Sequence, residues 1–221
     1  MDILLLAALD EEAESFMPGL GEPLPGAPWP PVRRIETGRH TILLGTAGIG
    51  KVNVATAAAC LHMRHGADML ATIGTAGKLS AIEGDCFYLT RAIQHDYGAR
   101  KADTFVHYPP GAWPIGPAHA DSYMALPDPG LKLPHAVIAS GDAFIEDAAY
   151  AGHLVAALDA DLVDMETAAL AQYARTADLP WLGIKATTDD ANHASAGNFH
   201  SNLRAASRRA ALAMADLIAL L

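Results

Sequence analysis

The chain has 221 residues, 51% of them hydrophobic and 18% charged, with a formal charge of −10. It is long enough to bury a full core as one domain over residues 1–221, and too apolar to be disordered. It is also too acidic to favour a nucleic-acid backbone or an anionic membrane as partner.

In chain order, the first segment is Met1 to Leu9, apolar but with Asp2 in place of a basic start. Asp10-Glu11-Glu12 stops it after a run too short for a signal or a membrane span, so it reads as a buried first strand of a cytoplasmic protein. Further short apolar or β-branched runs fall at 41–46, 69–73, 86–93, 135–139 and 181–186. Helical patterns cover about 50–65, 145–157, 166–177 and 197–220, and the alternation predicts a layered α/β domain. Two stretches break the rhythm. Gly21 to Pro31, with five prolines, reads as a surface loop, and His107 to Pro134, with seven, as a lid, binding loop or interface arm. Cys60 and Cys86 have no metal-type spacing and read as buried thiols.

Several segments carry candidate chemistry. Gly45-Thr46-Ala47-Gly48-Ile49-Gly50-Lys51 matches a phosphate-cradling loop up to its last position, where Val52 replaces the Ser or Thr that would hold magnesium. The favoured reading is a tight strand-to-helix turn. Thr72-Ile73-Gly74-Thr75-Ala76-Gly77-Lys78 reads as a turn at a strand end, with backbone N–H groups and the Thr75 hydroxyl free to floor a sugar or anion site. Glu12, Glu166 and Asp189 each follow a strand, and acids at the carboxyl ends of neighbouring strands converge on one crevice. Each alone also fits a solvated acid at a helix start. His62 and His65 lack a third ligand nearby, and no G-x-S-x-G elbow occurs. Trp113 fits a pocket wall or a loop anchor equally.

Six segments together resemble the nucleoside phosphorylase/nucleosidase superfamily: Ala7 to Glu12, Gly48 to Asn53, Gly74 to Gly77, Ser140 to Ile145, Asp164-Met165-Glu166 and Thr188-Asp189. Within it the chain is most similar to bacterial 5′-methylthioadenosine/S-adenosylhomocysteine nucleosidases. The resemblance implies a three-layer α/β/α domain with a central mixed sheet. It implies a homodimer that acts on a purine nucleoside without metal or organic cofactor. By the same resemblance Asp189 protonates adenine N7, with Asp190 as its competitor, Glu12 activates water, and Glu166 accepts the ribose hydroxyls. A leaving-group acid must keep its proton near neutrality, which burial favours. Met165 packs on the sugar, Phe144 stacks on the base, the Ile145 backbone reads its edge, and Thr75 helps position water. Ala76, Gly77, Thr188 and Lys185 complete the expected site, and Phe105 stands for the aromatic that an arm lends to the neighbouring subunit.

Phosphorylases of this fold carry arginine ahead of the Gly-Thr/Ser-x-Gly turn and near the first strand. Thr72-Ile73 and Asp10-Glu11-Glu12 stand there instead, so water is favoured over phosphate as nucleophile. A purine nucleoside phosphorylase and a non-catalytic nucleoside-binding protein are the alternatives. Lys78 replaces a usual glycine and Lys185 a usual arginine, and the second change loses the guanidinium fork.

Overall fold

The computed structural model describes residues 1–25 and 29–221. Its first strand, β1 (Asp2–Ala7), has Ile3 to Ala7 buried, as a strand covered on both faces must. The acidic run after it forms a short helix, α1 (Asp10–Ser15), where no helix was expected. Then follow β2 (Glu22–Pro23), β3 (Val32–Glu36), β4 (Thr41–Thr46), α2 (Lys51–His65), β5 (Met69–Lys78) and β6 (Cys86–Gln94). The remaining chain forms β7 (Gly98–Arg100), β8 (Phe105–His107), β9 (Ser122–Met124), β10 (His135–Ser140), α3 (Ala148–Leu158), β11 (Leu162–Asp164), α4 (Thr167–Thr176), β12 (Trp181–Asp189) and α5 (Ser195–Leu220).

The main sheet runs β11-β10-β6-β12-β5-β1-β4-β3-β2, and β11 also pairs antiparallel with β5, which curls one half of the sheet into a closed ring. Parallel pairings (β1 with β4 and β5, β12 with β5) mix with antiparallel ones (β12 with β6), as a central mixed sheet requires. Side chains alternate across β1. Leu4 and Leu6 meet Val54, Ala57, Ala58 and Leu61 of α2, whose spacing makes one helical stripe, together with α4. Ile3 and Leu5 face the other way, onto Ala210, Met214 and Leu217 of α5. The sheet is therefore sandwiched between helices, in the three layers expected. Each buried leucine contributes roughly 1.5–3 kcal/mol of transfer free energy.

Three expectations need correction. The segment 74–78 is not a turn: β5 continues to Lys78, and Gly77 and Lys78 pair with Val163 and Leu162. The proline-rich stretch near Gly21 is partly strand, since Glu22 and Pro23 pair with Arg34 and Arg33; residues 26–28 of that predicted loop lie outside the described residues. Cys86 is buried but Cys60 is only half-buried.

Candidate active site

The carboxyl ends of β1, β5, β11 and β12 surround a cavity of about 400 Å³, within the size range of small-ligand sites. Glu12, Glu166 and Asp189 all line it, and all three are nearly buried. Asp190, one residue on, is exposed and does not line the cavity.

Glu12 owes its place to α1. Its side chain reaches back over the first helical turn so that Oε2 accepts from Ala8 N at 3.0 Å and Leu9 N at 3.1 Å, the acid half of a capping box. Oε1 accepts from Thr75 N at 2.8 Å and from Thr75 Oγ1 at 2.9 Å. The Thr75 donors, expected to be free to floor a sugar or anion site, are instead taken by the Glu12 carboxylate. Gly74 explains the close approach, because a Cβ there would lie 2.7 Å from Glu12 Oε1.

Asp189 stands at a bulge. Thr187 pairs with Ala76 and Asp189 with Gly77, so Thr188 is the extra residue, and the irregularity turns both Thr188 and Asp189 onto the cavity. Asp189 Oδ2 accepts from Thr188 Oγ1 at 2.8 Å and Oδ1 from Ala191 N at 3.0 Å. A Cβ on Gly77 would come within 3.1 Å of the same carboxylate.

Glu166 caps the start of α4 and is held lightly. Its Oε1 accepts from Gly50 N at 2.8 Å and its Oε2 from Met165 N at 3.3 Å. Burial first, and then the negative charge of Asp164, push its carboxyl up to about 7. The G-x-x-x-x-G-K turn thus offers its backbone N–H to a protein carboxylate, and Gly48 and Gly50 have the positive φ that such a turn demands.

Lys185 does not line the cavity. It is fully buried beneath it, with Nζ 3.0 Å from Asp164 Oδ2. Burial alone would depress its ammonium, but the carboxylates of Asp164, Glu12 and Glu166 outweigh that and raise it. Asp164 moves the other way: burial opposes its charge, while Lys185, Ser140 Oγ and Thr167 Oγ1 together hold its carboxyl below the usual range. Lys78 also faces away, donating to Gly84 O at 2.7 Å.

Thr75, Ala76, Gly77, Phe144, Ile145, Met165 and Thr188 all line the cavity, as expected. Phe105 does not; it lies against His107 and Arg100 on the β7–β8 hairpin. Trp113 packs edge-on to Tyr108 and is no wall of this cavity. Sequence reasoning missed Leu9, Ile49, Phe199 and His200. Phe199 and His200 follow Ala196 at helical spacing on α5, and Phe199 meets Phe144 edge-to-face at 5.9 Å. The first turn of α5, Ser195-Ala196-Gly197-Asn198, has no apolar period that would mark the face they present.

The arrangement offers carboxylates and apolar walls. Among the described residues, no Lys or Arg lines the cavity.

Residues 2–219 match the model of the Phosphorylase superfamily. A 5′-methylthioadenosine/S-adenosylhomocysteine nucleosidase of Anoxybacillus flavithermus is 30% identical over 196 residues, covering 83% of this chain and 81% of that protein. One of Listeria innocua is 28% identical over 239 residues, covering 99% of both. Among solved structures, the Helicobacter pylori 5′-methylthioadenosine/S-adenosylhomocysteine nucleosidase complexed with a substituted pyrrolidin-3-ol superposes with a TM-score of 0.87 at 21% identity, covering 100% of this chain and 99% of that one.

Proposed function

The chain belongs to the phosphorylase superfamily, and from that premise we propose that it is an N-glycosidase that hydrolyses 5′-methylthioadenosine and S-adenosylhomocysteine to adenine and the 5-substituted ribose. Its relatives of about 30% identity carry that name. The observation that carries the choice of water over phosphate is the cavity wall itself. It holds Glu12, Asp164, Glu166 and Asp189, with no lysine or arginine among the described residues to neutralise a phosphate dianion.

Cleavage of the glycosidic bond passes through an oxocarbenium-like sugar, which a nearby carboxylate stabilises. Asp189, fixed at the β12 bulge, delivers a proton to adenine N7 so that a neutral base departs. Glu12 takes a proton from the attacking water. All four of its hydrogen-bond donors belong to the protein, but only the Thr75 hydroxyl can rotate. Turning that hydroxyl toward the incoming water frees a lone pair on Oε1 at the moment it is needed. Glu166 accepts the ribose hydroxyls, Met165 packs on the sugar, and Phe144 with Phe199 flanks the base.

The reading extends to a cytoplasmic homodimer. Val52 and Met63, eleven residues apart and so on one face of α2, are 73% and 84% exposed, which supports a partner subunit against that helix. Incubation with methylthioadenosine, adenosylhomocysteine and adenosine, followed by mass identification of the sugar, tests the assignment. Free methylthioribose and free ribosylhomocysteine are expected. Tight binding of all three with no adenine released would leave a binding protein instead.

A further inference from the structure

The G-x-x-x-x-G-K turn, which holds no phosphate in the proposed reaction, has a second set of contacts. Lys51 N donates to Asp142 Oδ1 at 2.8 Å, while Lys51 Nζ reaches Asp96 Oδ1 at 2.6 Å and Gln94 Oε1 at 3.4 Å. Asp96 in turn accepts from Asp142 N at 2.9 Å. One lysine therefore closes a ring of three chain segments: the start of α2, the end of β6 and the loop after β10. Two of the three segments lead directly to the cavity. Gly50, adjacent to Lys51, gives its N–H to Glu166, and Asp142 stands two residues before Phe144. Burial works against the Asp96 carboxylate, but the hydrogen bonds from Lys51 and Asp142 outweigh it and hold its carboxyl below the usual range, so Asp96 stays ionised at neutral pH.

We propose that Lys51 is a positioning residue for the reaction: through Asp96 and Asp142 it locks the Gly50 N–H that holds Glu166 to the segment that presents Phe144 and Ile145, so that sugar and base sites keep a fixed spacing. Lys51 itself lies outside the cavity lining and touches no reacting atom. The inference rests on the nucleosidase reading for its effect on rate, but its effect on Glu166 can be measured without turnover. Misplacement of about an ångström by a remote change costs on the order of 10²-fold in rate.

The test compares wild type with Lys51→Met and with Asp142→Ala, whose half-exposed side chain can be truncated without burying an orphan charge. Two quantities are read: kcat and KM for methylthioadenosine, and the titration of Glu166 by carbon-13 glutamate NMR, its signal assigned with Glu166→Gln. Lys51→Met is expected to lower kcat/KM about 10²-fold and to move the Glu166 titration upward, because the Gly50 hydrogen bond that favours its charged form loosens. Asp142→Ala should shift both in the same direction by less. A rate loss with the Glu166 titration unmoved in both variants would overturn the proposal, since generic damage gives that pattern. So would unchanged rates and titrations. If the wild type releases no adenine, the nucleosidase reading fails separately, and an upward shift of Glu166 in the two variants still supports the latch.

Discussion

Glu12 and Glu166 are both buried carboxylates on one cavity, yet the protein treats them in opposite ways. Glu12 accepts four hydrogen bonds from its own chain, three of them from fixed backbone N–H groups. Glu166 accepts one short bond from Gly50 and a longer one from Met165, beside the negatively charged Asp164. The first acid is preorganised, the second left unsatisfied for the ligand to complete. A base that must meet a water in one geometry gains from rigidity, whereas a group that grips two sugar hydroxyls gains from open lone pairs.

The largest effects should come from the rigid acids. Glu12→Gln and Asp189→Asn should each lower kcat for methylthioadenosine on the order of 10⁴-fold, while calorimetry of a non-hydrolysable analogue finds it still bound. If Asp189→Asn keeps near-normal turnover, the proton comes from elsewhere. Asp189→Asn should lose far less rate on ribosides whose leaving group needs no protonation.

Next comes the cation beneath both halves. Lys185→Met strands the Asp164 charge in the interior and should cost about 3–5 kcal/mol in denaturant unfolding. It should also raise the Glu166 titration, since the ammonium lowers it. A stable variant would mean that Ser140 and Thr167 suffice for Asp164.

Glu166→Gln sharpens the contrast most. It should reduce kcat/KM by about 10²-fold, and its pH dependence has a fixed sign. The folded pKa near 7 lies above the unfolded 4.5, so the folded state holds the proton more tightly. The stability this gives is full below pH 4.5 and lost as pH rises through 7. Glu166→Gln should therefore unfold like wild type near pH 4 and be more stable near pH 8 by about 3 kcal/mol. Analogue affinity in the wild type should rise with pH through the same window, and the variant should flatten that rise. Thr75→Val should cost only about tenfold in kcat, the worth of one hydrogen bond. Lys78→Gly should destabilise by about 1 kcal/mol, from glycine in a strand and the lost bond to Gly84 O, and leave the rate alone, because its ammonium does not face the cavity.

Much of this was legible in the chain. The buried strands announced themselves as apolar runs, α2 and α5 by their spacing, and the three acids by standing just after strand ends. What the sequence hid has physical causes. The helix α1 is six polar-rich residues, DEEAES, with no apolar period to read, yet it aims Glu12. Gly74 and Gly77 looked like turn residues because glycine serves both turns and close approaches; here they clear room for two carboxylates within a continuing strand. Lys185 was expected in the site because it stands where the similar nucleosidases carry arginine, but strand alternation and the Asp164 charge draw it below the floor. Phe199 joined the site through a helix whose first turn gives no local sign of what it faces.

The most direct test of the account is the rate of adenine release from methylthioadenosine by purified protein, with and without millimolar phosphate. Equal rates with free methylthioribose as product are expected from a cavity whose described walls carry carboxylates and no lysine or arginine. Release that requires phosphate and yields a sugar 1-phosphate would contradict it, and with it the role of Glu12 as the base that activates water.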